Sequence, residues 1–117
     1  MTAVTRSVNG AIIVDVAGHI DLGTSPALRR TMLDALKTTG RLMVNLAGVR
    51  YIDSSGIASL LEVLKEAKAR EKLLVLYSLT AAVSDVLNLT RLTRVFEICE
   101  TEEQALKKGA PAEGARS

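Results

Sequence analysis

Asp53-Ser54-Ser55-Gly56 is the stretch of this chain best suited to chemistry. It places two hydroxyls beside a carboxylate, with a glycine directly after them. Leu42-Met43-Val44-Asn45-Leu46 precedes it as an apolar run of strand length, and Ile57, Leu60, Leu61 and Leu64 follow at helical spacing. The four residues therefore form a loop that opens a helix. A helix start leaves backbone N–H groups unpaired, and Asp53 or Ser54 can accept from them as an N-cap. The same N–H groups and the helix dipole favour an anion. A phosphate added to a serine here would change the surface without melting the helix. Capping alone also accounts for these residue types, so the rest of the chain has to decide.

A hydrolytic serine needs a base and an orienting acid. The single histidine, His19, ends a predicted strand, and Asp21 or Asp53 could orient it. No oxyanion hole can be read from the sequence. One histidine, one cysteine and scattered carboxylates show no metal-ligand spacing. The chain contains no Gly-x-x-x-x-Gly-Lys-Ser/Thr loop, no Gly-x-Gly-x-x-Gly and no Gly-x-Ser-x-Gly elbow. Neither a cofactor nor a metal is expected.

The elements around the motif follow from periodicity. Val4 to Val8 and Ala11 to Ala17 read as strands joined by Asn9-Gly10, the favoured pair for a tight hairpin turn. Ile12, Val14 and Val16 fall on one side of the second strand, and Ile13 and Asp15 on the other. Gly18-His19-Ile20-Asp21 ends it. Thr24 or Ser25 followed by Pro26 predicts a helix start, with the helix running to about Thr39 and stopping at Gly40. Leu28, Met32, Leu36, Leu33 and Ala35 supply its buried stripe.

Leu42 to Leu46 is a strand covered on both faces. A helix over about Ser55 to Arg70 follows the motif. Leu73 to Tyr77 is the next strand. Thr80 caps a helix carrying Val83, Val86, Leu87 and Leu89. Val95 to Ile98 is a short last strand, and Thr101 with Gln104 has the capping-box pattern of a final helix ending near Lys108.

The order is β-β-α-β-α-β-α-β-α. It predicts a single α/β domain over residues 1–108 with a mixed, mostly parallel sheet of four to five strands and about four helices. Residues 109–117 are expected to form a loose tail. The loops from Gly18 to Ser25 and from Ala47 to Ser55 leave the C-terminal ends of strands, where sites gather in open α/β sheets. They are candidates to form one surface.

Composition narrows the classes. The 117 residues are 48% apolar but only 3% aromatic, which gives an aliphatic core and no stacking platform for single-stranded nucleic acid. Fifteen basic and 13 acidic residues are interspersed for a net charge of +2, too balanced for a phosphate-backbone binder. Cys99 can form no intramolecular disulfide and is expected in the core. No apolar run reaches membrane-span length and no signal pattern opens the chain, so a cytoplasmic location without membrane insertion is expected.

Three segments, in order and at this spacing, carry a family resemblance: Gly18-His19-Ile20-Asp21, Val44-Asn45-Leu46 and Ile52-Asp53-Ser54-Ser55-Gly56-Ile57. Leu89-Thr90-Arg91-Leu92 and Arg94-Val95-Phe96 add a weaker match. Over roughly Val4 to Lys108 the chain resembles a stand-alone STAS domain of the anti-anti-sigma factor type. The resemblance implies a switch and a substrate, not an enzyme. Unphosphorylated, such a domain binds an anti-sigma factor that is also a serine kinase of the histidine-kinase-like ATPase type, which frees a sigma factor or another client. The kinase phosphorylates the serine after the loop aspartate, here Ser54, and the complex separates. A metal-dependent serine phosphatase resets it.

The resemblance makes Asp53 the cap that shapes the loop and Ser55 a second capping group. Gly56 is expected to allow a partner backbone to approach closely. Asp21, with its neighbours His19 and Thr24, matches the other partner-facing loop, and Asp21 is equally well explained as a turn residue. A monomer or weak dimer is expected. His19 stands where the family usually has Glu or Asp, which removes a charge from this loop or gives it a pH-sensitive contact. Arg91 stands where a glycine usually ends the third helix, and Arg70-Glu71-Lys72 lacks the glycine common before the fourth strand. A left-handed backbone at Arg91 would cost roughly 1 kcal/mol. The alternative reading is a fixed STAS subunit of a lipid-transport ABC complex or a stress-signalling scaffold; fixed transporter subunits of this kind often lack the serine, which this chain retains.

Overall fold

The computed structural model describes residues 1–110, so residues 111–117 of the predicted tail lie outside the described residues. The elements run β1 (Thr2–Val8), β2 (Ala11–Ile20), α1 (Ser25–Leu36), β3 (Arg41–Ile52), α2 (Ser54–Ala69), β4 (Leu73–Tyr77), α3 (Ala81–Leu89), β5 (Glu97–Cys99) and α4 (Glu102–Lys107). The predicted order holds throughout.

One five-stranded sheet has the order β1-β2-β3-β4-β5. β1 is antiparallel to β2, and the remaining neighbours are parallel. Asn9 (φ 50°) and Gly10 (φ 82°) form the two-residue turn between the first two strands. The strand order never reverses, so successive crossovers of one hand stack their helices on one face. Leu28, Met32 and Leu36 of α1 accordingly share a buried cluster with Leu60 and Val63 of α2 and Val83 and Leu87 of α3, over Val14, Val44 and Leu76 of the sheet. Among the described residues the other face is covered by α4 alone, where Ala105 packs against Ile13, Met43, Val75 and Tyr77. The alternation read along β2 is therefore correct: Val14 and Val16 face the three-helix side, and Ile13 faces α4.

Several boundaries differ from expectation, each for a tertiary reason. β3 continues six residues past Leu46, so most of the predicted Ala47–Ser55 loop is strand. Ala17 to Ile20 of β2 pair with Gly48 to Ile52, across two register shifts. Gly48 is needed there because a Cβ would lie 2.8 Å from the Ala17 Cβ. α1 ends at Leu36 rather than Thr39, and Thr39 is buried with its hydroxyl donating to the Gly10 carbonyl at 3.0 Å. β5 occupies Glu97–Cys99 rather than Val95–Ile98, because Val75 to Tyr77 offer it only three partners. Leu89 is not in the α3 stripe but 83% exposed. Cys99 is buried in a strand, as expected.

The glycine-deficient helix ends adopt the backbone that glycine favours. Glu71 (φ 56°) and Arg91 (φ 59°) are left-handed. Each closes a Schellman motif, with Lys72 N–H donating to the Ala67 carbonyl at 2.7 Å and Leu92 N–H to the Leu87 carbonyl at 2.8 Å.

Candidate functional site

The C-terminal ends of β2 and β3 lie side by side, with Ile20 opposite Ile52. The chain leaves β2 through Asp21–Thr24 and leaves β3 through Asp53 alone. The Asp53 N–H donates to the Ile20 carbonyl at 3.1 Å, which ties the start of α2 to the end of β2.

Asp53 is the N-cap, with an extended backbone (φ −111°, ψ −173°). Its Oδ1 accepts from the Ser55 N–H at 2.9 Å, the Ser55 hydroxyl at 2.5 Å and the Gly56 N–H at 3.3 Å. The Ser55 hydroxyl foremost, then the Gly56, Ser55 and Leu22 amides, hold the Asp53 carboxyl below the usual carboxylate range. The helix start is thus already occupied by a carboxylate. Ser55 is committed inward, whereas Ser54, the first residue of α2, is exposed.

Gly56 serves its own sheet. A Cβ there would lie 2.7 Å from both Ile20 Cγ2 and Ile52 Cγ1, and the residue is buried. The expected approach of a partner backbone at Gly56 is therefore corrected. The close approach is internal and lets the first turn of α2 settle onto the strand ends.

Asp21 makes the turn that its residue type suggests. Its Oδ1 accepts from the Gly23 N–H at 3.0 Å and the Thr24 N–H at 3.1 Å. Thr24 sits at the N-cap position of α1 but does not cap through its side chain. Its backbone is already helical (φ −108°, ψ −24°). The hydroxyl instead accepts from the Asp21 N–H at 2.9 Å and donates to the His19 carbonyl at 2.8 Å, closing the loop on itself. Between these fixed points Leu22 is 78% exposed.

His19 faces away from the three-helix side, beside Tyr51 on β3, with ring centroids 5.7 Å apart. Both are exposed. An open groove of about 580 Å³ runs next to them, lined by Gly18, His19, Gly48, Arg50 and Thr80 among others. Among the described residues no hydrogen bond joins the His19 imidazole to Asp21 or Asp53, whose Oδ1 atoms accept from backbone amides instead, so the orienting contact of a triad is not formed. Among the described residues, no group of three or more His, Cys, Asp or Glu gathers as a metal site. No helix there is long and apolar enough to cross a membrane.

The structure therefore brings Asp21, Asp53, Ser54 and Ser55 together at one end of the sheet, with His19 on its other face. Neither Leu22 nor Tyr51 stands out in the sequence. The available signal was an apolar residue set between the turn formers Asp21 and Gly23, which a buried loop would not explain.

Comparison with known proteins bears on the fold and the family. The chain is 29% identical over 92 residues to the anti-sigma-B factor antagonist of Listeria monocytogenes, covering 78% of this chain and 81% of that one. The crystal structure of an anti-sigma factor antagonist from Mycobacterium paratuberculosis superposes with a TM-score of 0.82 at 24% identity, covering 91% of each chain. The Bacillus cell fate determinant SpoIIAA in its phosphorylated form superposes with a TM-score of 0.70 at 17% identity, covering 92% of this chain and 98% of that one. The STAS domain family model matches residues 2–105, and the chain belongs to that family.

Proposed function

We propose that this protein is an anti-sigma factor antagonist that works by partner switching, with Ser54 as the phosphorylated residue. The observation that carries the reading is the division of labour between the two serines. Ser55 completes the cap, and Ser54 stands exposed at the first position of α2. The names of the curated relatives and a phosphorylated protein of the same fold support it.

In this reading the unphosphorylated chain docks through the Asp21–Thr24 loop and the start of α2 onto an anti-sigma factor that is a serine kinase of the histidine-kinase-like ATPase type. A sigma factor or other client is freed. The kinase transfers the terminal phosphoryl group of ATP to the Ser54 oxygen, ADP leaves, and the hydroxyl proton is lost. A metal-dependent serine phosphatase returns the hydroxyl by hydrolysis. The chain is a substrate rather than an enzyme, and the exchange takes place in the cytoplasm.

Phosphoserine brings about −1.5 to −2 charges. The Asp53 carboxylate holds the amides of the helix start, so the phosphate is left facing the partner. Hundredfold release requires about 2.7 kcal/mol of lost affinity.

Pull-down from the native host with wild type, Ser54→Ala and Ser54→Asp as baits tests the reading. An ATPase-type kinase held by wild type and Ser54→Ala and lost with Ser54→Asp supports it. Transporter subunits held equally by all three would make the chain a fixed scaffold and Ser54 a plain helix-start residue.

A further inference from the structure

The sheet has two edges. β5 is three residues long, whereas β1 is seven residues long and pairs with β2 in unbroken register from Thr2↔Ala17 to Val8↔Ala11. The two-residue Asn9-Gly10 turn makes Val8 and Ala11 a hydrogen-bonded pair, and such pairs alternate along an antiparallel ladder. Val4 and Arg6 therefore bond to β2. Ala3, Thr5 and Ser7 direct their N–H and C=O groups outward, and among the described residues none of these groups is used by a turn or loop.

Edge strands are normally blunted by proline, a bulge, inward charge or brevity. β1 has no proline and no bulge in its pairing. Its one charge, Arg6, is bound on its own face to Asp15 at 2.7 Å and to Glu102.

We propose that β1 is the interface of a symmetric dimer, in which β1 of a second copy adds antiparallel to it. Maximum overlap of a strand running from Thr2 to Val8 places the two-fold at Thr5. Thr5 then opposes its own copy, and Ala3 opposes Ser7 of the second copy. All are outward-bonding positions with small side chains, and the three narrow pairs supply six backbone hydrogen bonds. On the α4 face Arg6 lies against Val4 of the second copy, so no like charges meet. Val4, now 60% exposed, is covered by the arginine stem. The strand is complementary to itself, which favours a second copy over an unrelated strand. Ser54 and the Asp21–Thr24 loop take no part, so dimerisation is independent of the switch.

Sedimentation equilibrium on the full chain, from about 10 μM to about 1 mM, tests this, since an interface this small sits at the weak end of specific association. Wild type is expected to show a concentration-dependent monomer–dimer equilibrium. Thr5→Pro removes only an outward N–H, so the β1–β2 ladder survives and the dimer weakens at least tenfold. Thr5→Lys sets two ammonium groups opposite each other and does the same. Mixing Thr5→Lys with Thr5→Glu restores association to within a few-fold of wild type, which only self-opposition at Thr5 predicts. If Thr5→Pro fails to fold, the Lys and Glu pair decides. A wild type that stays monomeric throughout overturns the proposal. So does a dimer that Thr5→Lys leaves unchanged, because another surface would then be responsible.

Discussion

The backbone N–H of Asp53 donates to the Ile20 carbonyl at 3.1 Å, where the ends of β2 and β3 meet. It fixes the start of α2 against the end of β2, so Ser54 and the Asp21–Thr24 loop present one surface. The surface is set by backbone geometry and helix capping. On the proposed reading, modification of the exposed Ser54 hydroxyl alters recognition while the fold stays as it is.

Gly56 holds this arrangement from below. Gly56→Ala places a methyl 2.7 Å from Ile20 Cγ2 and Ile52 Cγ1, so α2 must shift or the isoleucines must repack. The expected loss is about 1–3 kcal/mol, read by urea denaturation, in line with other overpacked cores. An unchanged midpoint would mean that the first turn of α2 is looser than described.

Glu71 and Arg91 carry left-handed strain that glycine relieves. Glu71→Gly and Arg91→Gly are each expected to stabilise the protein by up to about 1 kcal/mol, the relieved αL strain exceeding the entropy that glycine adds to the unfolded chain. Lys65→Gly, within α2, is the control and should destabilise by about 1 kcal/mol.

A polar row crosses the α4 face of the sheet. Arg6 Nε meets Asp15 Oδ2 at 2.7 Å, Asn45 Nδ2 donates to Asp15 Oδ1 at 2.8 Å, and the Tyr77 hydroxyl donates to Glu102 Oε1 at 2.6 Å. Arg6 is the leading cause that holds both Asp15 and Glu102 below their ordinary values of 3.8 and 4.5. Both carboxyls bind protons more weakly folded than unfolded. Their contribution is therefore complete above the unfolded values and is lost as pH falls below about 4.5 and through the lowered folded values. Arg6→Gln should cost less than about 1 kcal/mol at pH 7, since the pair is about a third exposed. It should also flatten the decline of stability between pH 5 and pH 2, as followed by circular dichroism.

Much of the fold is legible in the sequence because its signals are local. Asn9-Gly10, the caps at Asp53, Thr80 and Thr101, and the period of the three long helices each place an element without reference to the others. What could not be read depends on pairing. Ala47 to Arg50 has no strand pattern and is strand only because Ala17 to Ile20 lie beside it. Thr24 has the residue type of a cap, but its hydroxyl turns back to His19 because its own backbone is already helical. Gly56 looks suited to a partner until Ile20 and Ile52 are seen beneath it. By residue type alone Ser54 and Ser55 are equivalent and only the family resemblance tells them apart, whereas in the structure the bond from the Ser55 hydroxyl to Asp53 separates them.

That separation leads to the most direct test. The kinase recovered by pull-down is titrated calorimetrically with unmodified protein and with protein phosphorylated to completion, the site being assigned by fragmentation mass spectrometry. The account predicts a single phosphate on Ser54, an unchanged melting profile and affinity at least 100-fold weaker, about 2.7 kcal/mol. A phosphate on Ser55, or equal affinity of the two forms, would contradict it.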